Sequence, residues 1–375
     1  MKRSLTLLLS PLLMALASCS GSAIGDSLAY ARLPFAVTAH GRFEEPWALA
    51  FLPGTPYALV TEKAGRLLLW QDGKPALTVT GTPTVAYGGQ GGLGDVQPAP
   101  DFAASRMIYL SWAEPGPGDT RGAAVGRARL VLGERPRLDG LTVIWRQDLK
   151  VPGEGHYSHR LAFSPDGQFL FVASGERQKF TPAQDLSTNL GKVLRLLPDG
   201  TPAPGNPFAA RGGVAAQFWT YGHRNLLGLK FDQAGRLWDI EHGAAGGDEL
   251  NLLKSGQNYG WPLVSDGDNY DGTAIPRHNT RPDLAAPAIS WNPVIGPGDF
   301  IFYRGAWFPA WRGHALIAGL VSGGLVDVAI NGEQAREVAR YDFGTRLRDV
   351  VERADGSVWV LEDGAGGRLL KLLPR

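Results

Sequence analysis

Two histidines and an arginine stand together in the segment His156-Tyr-Ser-His159-Arg160, which opens an apolar stretch. An imidazole titrates near neutral pH, so a histidine held beside a substrate can take the proton of a hydroxyl group. A single histidine is more often a structural group, but two histidines with an adjacent arginine are more typical of a site. A metal pair is not indicated, because neither a helix nor a third ligand accompanies this spacing.

A permanent cation and an amide follow one another in Tyr221-Gly-His-Arg-Asn225. Arg224 offers a planar fork of donors, and Asn225 offers a donor and an acceptor side by side. This pair suits a flat ligand rich in carbonyl groups, although a turn closed by a salt bridge would use the same residues. Another amide, Gln90, lies in a glycine-dense loop at residues 88–94. The loop lacks the strand-then-helix setting of a phosphate loop, which excludes nucleotide binding.

Oxygen donors are concentrated in two later segments. These are Glu241-His-Gly243-Ala-Ala-Gly-Gly-Asp248-Glu249-Leu-Asn251 and Asn258-Tyr-Gly-Trp-Pro262. Carboxylates and the carbonyls of a flexible backbone are the hard ligands that calcium prefers. The spacing of an EF-hand is absent, so these segments do not predict calcium by themselves.

One unit recurs along the chain: a short apolar strand, a polar turn with glycine, and a second apolar strand. Clear copies begin near residues 47, 160, 227 and 347, and looser copies lie at residues 92–112 and 300–319. Asp-Gly and related pairs supply the positive φ that a tight hairpin needs. Because no stretch keeps a helical apolar period for three turns, the six copies predict an all-β fold. We expect a six-bladed β-propeller of four-stranded antiparallel blades.

The ring must also be closed and its ligand face covered. Residues 33–39 have the pattern of a strand, and we expect it to pair with the last blade and remove the free sheet edges. Residues 175–208 and 243–292 are too long for hairpin turns, and we expect them to cover the ligand face. A two-sheet sandwich is the alternative, but it has too few strands for 375 residues.

The N-terminal residues follow a separate pattern. Lys2 and Arg3 precede an apolar run at residues 5–16 that is too short to span a bilayer, and Leu16-Ala-Ser-Cys19 is similar to a bacterial lipobox. We expect residues 1–18 to be a lipoprotein signal peptide, Cys19 to be lipidated, residues 19–30 to be a polar tether and residues 31–375 to form one propeller domain. The absence of Asp after Cys19 favours a lipid anchor on the periplasmic side of the cell envelope, at the outer membrane. An ordinary secretory signal is the alternative.

Charge and cysteine content exclude further classes. The formal net charge is +1, which gives no reason to expect a nucleic acid or an acidic partner. Cys19 is the single cysteine of the sequence, so no disulfide can form within the chain.

Together these segments resemble the aldose sugar dehydrogenases that use pyrroloquinoline quinone (PQQ), the glucose/sorbosone dehydrogenases. The resemblance extends from Glu45-Pro-Trp-Ala-Leu49 to Arg346-Leu-Arg-Asp349. Its most specific matches are Gly222-His-Arg-Asn225, Gly247-Asp-Glu-Leu-Asn-Leu252, Asn258-Tyr-Gly-Trp-Pro262, Asp185-Leu186 with Gly191-Lys-Val-Leu-Arg195, and Gly205-Asn-Pro-Phe208. The resemblance implies PQQ- and calcium-dependent oxidation of aldoses at the C1 hydroxyl to lactones, with electrons passed to a downstream acceptor.

The resemblance also implies a role for each candidate residue. His156 falls on the general base that takes the C1 hydroxyl proton, and Glu176 on the acidic group that orients the imidazole and favours its charged form. Arg224 stabilises charge on the quinone oxygen. The implied cofactor-binding residues are Gln90, Arg224, Asn225, Arg346 and Arg348. The implied calcium ligands are the carbonyls of Gly243 and Ala244 at the cofactor, and Glu249 and the Tyr259 carbonyl at a second site.

Some positions depart from the family pattern, and they leave other functions open. Val321 stands where the family usually has a lysine that contacts the quinone; the other departures are His159, Ala244, Val294 and Gly298. One alternative is a calcium-dependent lactonase, and another is a non-catalytic lipoprotein that binds a ligand on the propeller face. The pair Arg346 and Arg348 argues against a lactonase, because a neutral lactone has no use for two guanidinium groups.

Overall fold

The computed structural model describes residues 30–375. The predicted signal peptide, the predicted lipidation site Cys19 and all of the predicted tether except Tyr30 lie outside these residues. In the described part, no helix is long and apolar enough to cross a membrane. Six antiparallel sheets follow one another, and their first strands contact each other in a ring. The predicted six-bladed β-propeller is therefore confirmed.

Each blade begins with its innermost strand and is completed outward. Blade 1 contains β2 (Pro46–Phe51), β3 (Tyr57–Glu62), β4 (Arg66–Gln71) and β5 (Leu77–Val79). Blade 2 contains β6 (Leu93–Pro98), β7 (Met107–Pro115), β8 (Thr120–Val131) and β9 (Arg137–Arg146), and the short β10 (Val151–Pro152) also pairs with β8. Blade 3 contains β11 (Ser158–Phe163), β12 (Leu170–Ser174), β13 (Lys192–Leu196) and β14 (Phe218–Tyr221).

The second half of the ring repeats this order. Blade 4 contains β15 (Leu226–Phe231), β16 (Leu237–Glu241), β17 (Asp248–Leu252) and β18 (Ile289–Trp291). Blade 5 contains β19 (Pro297–Phe302), β20 (Ala315–Gly319), β21 (Gly324–Asn331) and β22 (Gln334–Asp342). Blade 6 contains β23 (Leu347–Glu352), β24 (Val358–Glu362), β25 (Gly367–Pro374) and, from the other end of the chain, β1 (Phe35–Phe43).

The helices are short. Residues 30–375 contain one α-helical turn, α1 (Phe102–Ser105), and the 3₁₀ turns are Thr181–Ala183, Ala209–Arg211, Gly213–Gln217, His278–Thr280 and Pro309–Trp311.

Pairing of β1 with β25 closes the ring, as the sequence predicted. Phe35 lies opposite Pro374 and Phe43 opposite Gly367. The Phe35 ring is buried among aromatic side chains that include Trp311, at 5.3 Å between centroids, and Tyr341, at 5.4 Å. This packing attaches the first strand to the last two blades.

Each pair of neighbouring blades encloses one apolar cluster. For example, Trp238, Ile240 and Leu250 of blade 4 pack with Phe300 and Ile317 of blade 5. Burial of this apolar area is the main force that holds the ring together.

The two long inserts are only partly what the sequence predicted. Residues 175–208 contain β13, and residues 243–292 contain β17 and β18, so these segments supply outer strands as well as loops. The strands were missed because sequences such as Lys192-Val-Leu-Arg-Leu196 are short and carry no alternating pattern over enough residues.

The geometry of the innermost strands assembles the site. Each of the six has a register shift close to its first residues. Such bulges re-aim side chains. Because all six strands run in the same direction around the ring, the residues at their starts meet at one end of the channel. Deeper in the channel lies the buried Arg160. It is 3.9 Å from the Trp47 ring and 3.4 Å from Asp299, and it lies beneath the residues at the strand starts.

Candidate active site

A cavity of about 250 Å³ opens at the end of the channel where the inner strands begin. Four predicted cofactor-binding residues from three different parts of the chain line it: Gln90, Asn225, Arg346 and Arg348. Trp47 and His159 also line it, with their rings stacked at 5.0 Å. The structure therefore brings together residues that are more than 250 positions apart in the sequence.

The segment that carries His156 leaves regular strand geometry. His156, Ser158 and His159 have φ values of 51°, 57° and 53°, in the left-handed region that residues with a side chain rarely adopt. The guanidinium of the buried Arg177 holds the segment by a hydrogen bond from Nε to the Gly155 carbonyl, at 2.8 Å. Strained backbone of this kind persists only where the surroundings enforce it, and it clusters at functional sites.

The His156 side chain is oriented from two sides. Its Nδ1 contacts Glu176 Oε1, and its backbone N–H donates to Gln90 Oε1 at 2.7 Å. The second Glu176 oxygen accepts the backbone N–H groups of Lys179 and, at 2.6 Å, of Phe180. The carboxylate is thus fixed by three donors and cannot turn away from the imidazole.

Electrostatics leave His156 neutral. Burial lowers the pKa of His156, the bond to Glu176 raises it, and the charge of Arg224 lowers it again, so the pKa lies below its ordinary value. The sequence-based expectation that Glu176 favours the charged imidazole is right in direction, but burial outweighs it. Burial acts to raise the pKa of Glu176, yet the hydrogen bond from His156 brings it below its usual value. An ionised Glu176 then holds the Nδ1 proton, and Nε2 is left to accept another.

Although its neighbour Asn225 lines this cavity, Arg224 itself does not. Its backbone N–H donates to Glu241 Oε2 at 2.7 Å, and its Nη1 donates to the His242 carbonyl at 3.1 Å. The guanidinium lies 5.0 Å from the Trp261 ring. Among the described residues nothing bonds the buried Nε of Arg224. Its backbone carbonyl accepts the Glu176 N–H at 3.0 Å, which places Arg224 directly beside the His156–Glu176 pair.

Arg346 and Arg348 share one carboxylate. Their Nε atoms donate to the two oxygens of Asp363, at 2.8 Å and 2.9 Å. Two guanidinium groups against one carboxylate leave a net positive charge at the cavity wall. Lys63, which the sequence did not predict as a site residue, also lines the cavity and donates to the Gly89 carbonyl at 2.9 Å.

Val321, the position of the family's usual lysine, is 59% exposed and is not part of the cavity wall. Lys63 comes from the end of β3, where nothing in the local pattern distinguishes it from a surface lysine. Only the closure of the ring brings its ammonium group to the cavity.

The predicted calcium ligands lie at a second, smaller cavity of about 10 Å³. Gly243, Glu249 and Tyr259 line it, whereas Ala244 does not. His242 lines both cavities, so they adjoin. A volume of this size holds roughly one water molecule or ion.

Glu249 has one further partner that the sequence did not predict, since His278 Nε2 lies 3.1 Å from its Oε1. Burial raises the pKa of Glu249 to about 7.

Comparison with known proteins identifies the family. A family model described as glucose/sorbosone dehydrogenase matches residues 43–371. The chain belongs to the glucose/sorbosone dehydrogenase family. The predicted family is confirmed, and with it the predicted enzyme class, a sugar oxidoreductase.

Several members of the glucose/sorbosone dehydrogenase family are similar over most of their length. Aldose sugar dehydrogenase YliI of Escherichia coli (strain K12) is 38% identical over 342 residues, which cover 89% of this chain and 91% of the relative. The apo-form crystal structure of the Escherichia coli aldose sugar dehydrogenase has a TM-score of 0.87 at 37% identity, over 91% of this chain and 99% of that one. The PQQ-bound aldose sugar dehydrogenase of Streptomyces coelicolor has a TM-score of 0.72 at 26% identity, over 90% and 98%.

Proposed function

We propose that this protein oxidises aldoses at the C1 hydroxyl to lactones, with PQQ as cofactor, Ca²⁺ as its metal and His156 as the general base. The observation that carries the proposal is the neutral His156, whose Nδ1 proton is held by Glu176 beside a cavity lined by Gln90, Asn225, Arg346 and Arg348. The PQQ-bound relative from Streptomyces coelicolor supports the choice of cofactor.

The donors around the cavity fit a flat, anionic quinone. Arg346, Arg348 and Lys63 offer positive charge to its carboxylates, where charge-assisted hydrogen bonds are strongest. The buried Nε of Arg224 has no partner among the described residues and would offer a permanent donor to a carbonyl oxygen of the ligand. A buried donor without a partner is costly, and a carbonyl acceptor would remove that cost.

Each residue around the cavity then has its own role in the proposed reaction. PQQ, when bound, supplies the acceptor for the hydride of sugar C1. His156 Nε2 takes the hydroxyl proton, and Glu176 stabilises the imidazolium that results, because its charge lies against Nδ1. Arg224 would place positive charge beside this pair, where it could stabilise negative charge that the reaction develops on a bound acceptor. Gln90 fixes the backbone of the base.

Calcium fits the donors of the smaller cavity. The Glu249 carboxylate and the backbone carbonyls of Gly243 and Tyr259 are hard oxygen ligands of the kind that Ca²⁺ takes. The raised pKa of Glu249 shows that the folded protein without a cation disfavours its negative charge. A bound Ca²⁺ would stabilise that charge.

The activity is tested with purified protein, PQQ, Ca²⁺ and a panel of aldoses, by following reduction of an artificial dye. We expect reduction that requires both PQQ and sugar, and its loss in His156→Gln with PQQ binding retained. His314→Gln is a matched control, because His314 lies just before β20, at the end of blade 5 opposite the cavity, where it is bound to Asp327. If the protein instead hydrolyses sugar lactones without PQQ and does not reduce the dye, the result would support the lactonase alternative and contradict the proposal.

We also propose that the protein is a periplasmic lipoprotein anchored through Cys19, with residues 1–18 removed. The lipobox pattern at residues 16–19 supports this. Expression in a bacterium with labelled palmitate should label the wild type and leave Cys19→Ser unlabelled. Equal labelling of both, or recovery of both outside the membrane fraction, would contradict the anchor.

A further inference from the structure

A second cluster of potential metal ligands lies on one face of blade 4, between β16 and β17. In the strand register, Asp239 lies opposite Asn251 and Glu241 opposite Glu249. Successive side chains of a strand point to opposite faces. Trp238 and Ile240 pack against blade 5, so these four polar side chains face blade 3.

The cluster contains polar atoms that have no partner. Asp239 and Asn251 are both 0% exposed. Within residues 30–375, no hydrogen bond reaches either carboxylate oxygen of Asp239 or the side-chain oxygen of Asn251. The Asn251 amide group donates to Glu241 Oε1 at 3.3 Å, so its orientation is fixed by that bond and its oxygen remains free.

This arrangement is costly unless a positive charge joins it. An ionised carboxylate in an apolar interior loses far more hydration energy than it regains unless it is paired. Within the described residues, neither an arginine nor a lysine side chain forms a hydrogen bond with Asp239. A cation bound beside the Asp239 carboxylate would supply the partner that its two oxygens do not have.

His223 adds a nitrogen ligand. Its Nδ1 lies 3.0 Å from Glu241 Oε1, and its Nε2 lies 2.9 Å from Thr220 Oγ1. One ligand atom from each of His223, Asp239 and Glu241 lies within 4.8 Å of the other two. Ligands bound to one ion at about 2.0–2.4 Å are separated by no more than about twice that length. The three side chains can therefore reach a common ion with small movements.

We propose that His223, Asp239, Glu241 and Asn251 hold a divalent transition-metal ion inside blade 4. An imidazole nitrogen combined with carboxylate oxygens favours Zn²⁺ or Mn²⁺ over Ca²⁺, which prefers oxygen alone. Thr220 would orient the imidazole through Nε2, as partners of ligating histidines commonly do. Glu241 also accepts the backbone N–H of Arg224, so the ion would support the loop that carries Arg224. Glu241 also lines the small cavity that contains Glu249, so the two sites adjoin. The proposed site does not include Glu249 and does not depend on the proposed activity.

Metal content tests this proposal directly. The protein is purified from cells grown with added ZnCl₂ and MnCl₂, dialysed against a chelator and analysed by mass spectrometry. Because the ligands are buried, the ion should exchange slowly and survive dialysis. We expect about one Zn²⁺ or Mn²⁺ per chain in the wild type and in Glu249→Gln, the control for the neighbouring cavity. Asp239→Asn should retain at least tenfold less.

Two outcomes would overturn the proposal. Equal metal retention by Asp239→Asn would place the ion elsewhere. A wild type without a transition metal, with an Asp239→Asn variant of unchanged thermal midpoint, would show that Asp239 carries a proton. If that variant does not fold, X-ray absorption at the metal edge of the wild type decides, because the proposal requires one imidazole nitrogen among the ligands and a shell of oxygens alone contradicts it.

Discussion

Replacing Glu176 by glutamine would remove the charge beside His156 while keeping the shape of the side chain. The carboxylate accepts three N–H groups, from His156 Nδ1 and from the backbone of Lys179 and Phe180. Glutamine has a single acceptor oxygen, and it satisfies more donors when that oxygen faces the two backbone groups. Its NH₂ group then points at His156 Nδ1, which must become an acceptor, so the imidazole proton moves to Nε2.

The size of the effect follows from this change of tautomer. With its proton on Nε2, His156 presents a donor to the sugar hydroxyl and can no longer act as a base. The equivalent change in a serine protease lowers kcat about 10⁴-fold. We expect a loss of roughly 10³–10⁴ in kcat for Glu176→Gln, which corresponds to about 4–5.5 kcal/mol of transition-state stabilisation.

Steady-state dye reduction with saturating PQQ and Ca²⁺, measured from pH 5 to 9, checks this prediction. A wild-type base with a lowered pKa keeps its activity through neutral pH and loses it only at a pH below the ordinary histidine pKa of about 6.5. Glu176→Gln lacks the contact that raises the pKa of His156. The pH below which the variant loses its remaining activity should therefore be lower than in the wild type. Glu154→Gln is the control, because Glu154 is paired with Arg121. A Glu176→Gln variant within about threefold of the wild type, or an acid limb at higher pH, would refute the reasoning.

Three other perturbations have defined outcomes. Arg348→Ala should weaken PQQ binding about ten- to a hundredfold in an absorbance titration, because a hydrogen bond to a charged group contributes about 1.5–3 kcal/mol. The control is Arg211→Ala, which changes an exposed arginine and should leave the affinity for PQQ unchanged. Glu249→Gln should abolish the rise in thermal midpoint that added Ca²⁺ gives the wild type, and an unchanged rise would remove Glu249 from the calcium site. Phe35→Ala should lower the free energy of unfolding, measured in urea, by about 3–5 kcal/mol, because it removes a ring from the buried aromatic cluster that attaches β1 to the last two blades. A loss below about 1 kcal/mol would contradict that role.

The architecture could be predicted because its signals are local. Each hairpin has its apolar strands and its glycine turn within about 20 residues, and six copies leave few folds to consider. The apolar strand at residues 33–39 could be assigned to the last blade for a physical reason, since an unpaired edge is a liability. Only the short outer strands, such as β13 and β18, lacked a readable pattern.

The site could be predicted in part. Gln90 and Arg348 were found from residue type and from resemblance, and the structure places both on the cavity wall, whereas Arg224 lines the adjoining smaller cavity. Lys63 and Asp363 were missed because their role arises only when the ring closes. Nothing near Lys63 in the sequence distinguishes it from an ordinary surface lysine. The neutral state of His156 was also beyond the sequence, because it depends on how deeply the folded protein buries the imidazole.

A single-turnover experiment tests the central claim most directly. PQQ-loaded protein with Ca²⁺ is mixed anaerobically with an aldose, without any dye, while the absorbance of the bound quinone is recorded. In the wild type the quinone absorbance should disappear within the mixing experiment, and in His156→Gln it should persist although PQQ remains bound. An absorbance that does not change in the wild type, or that falls equally fast in the variant, would contradict the account of His156 as the base.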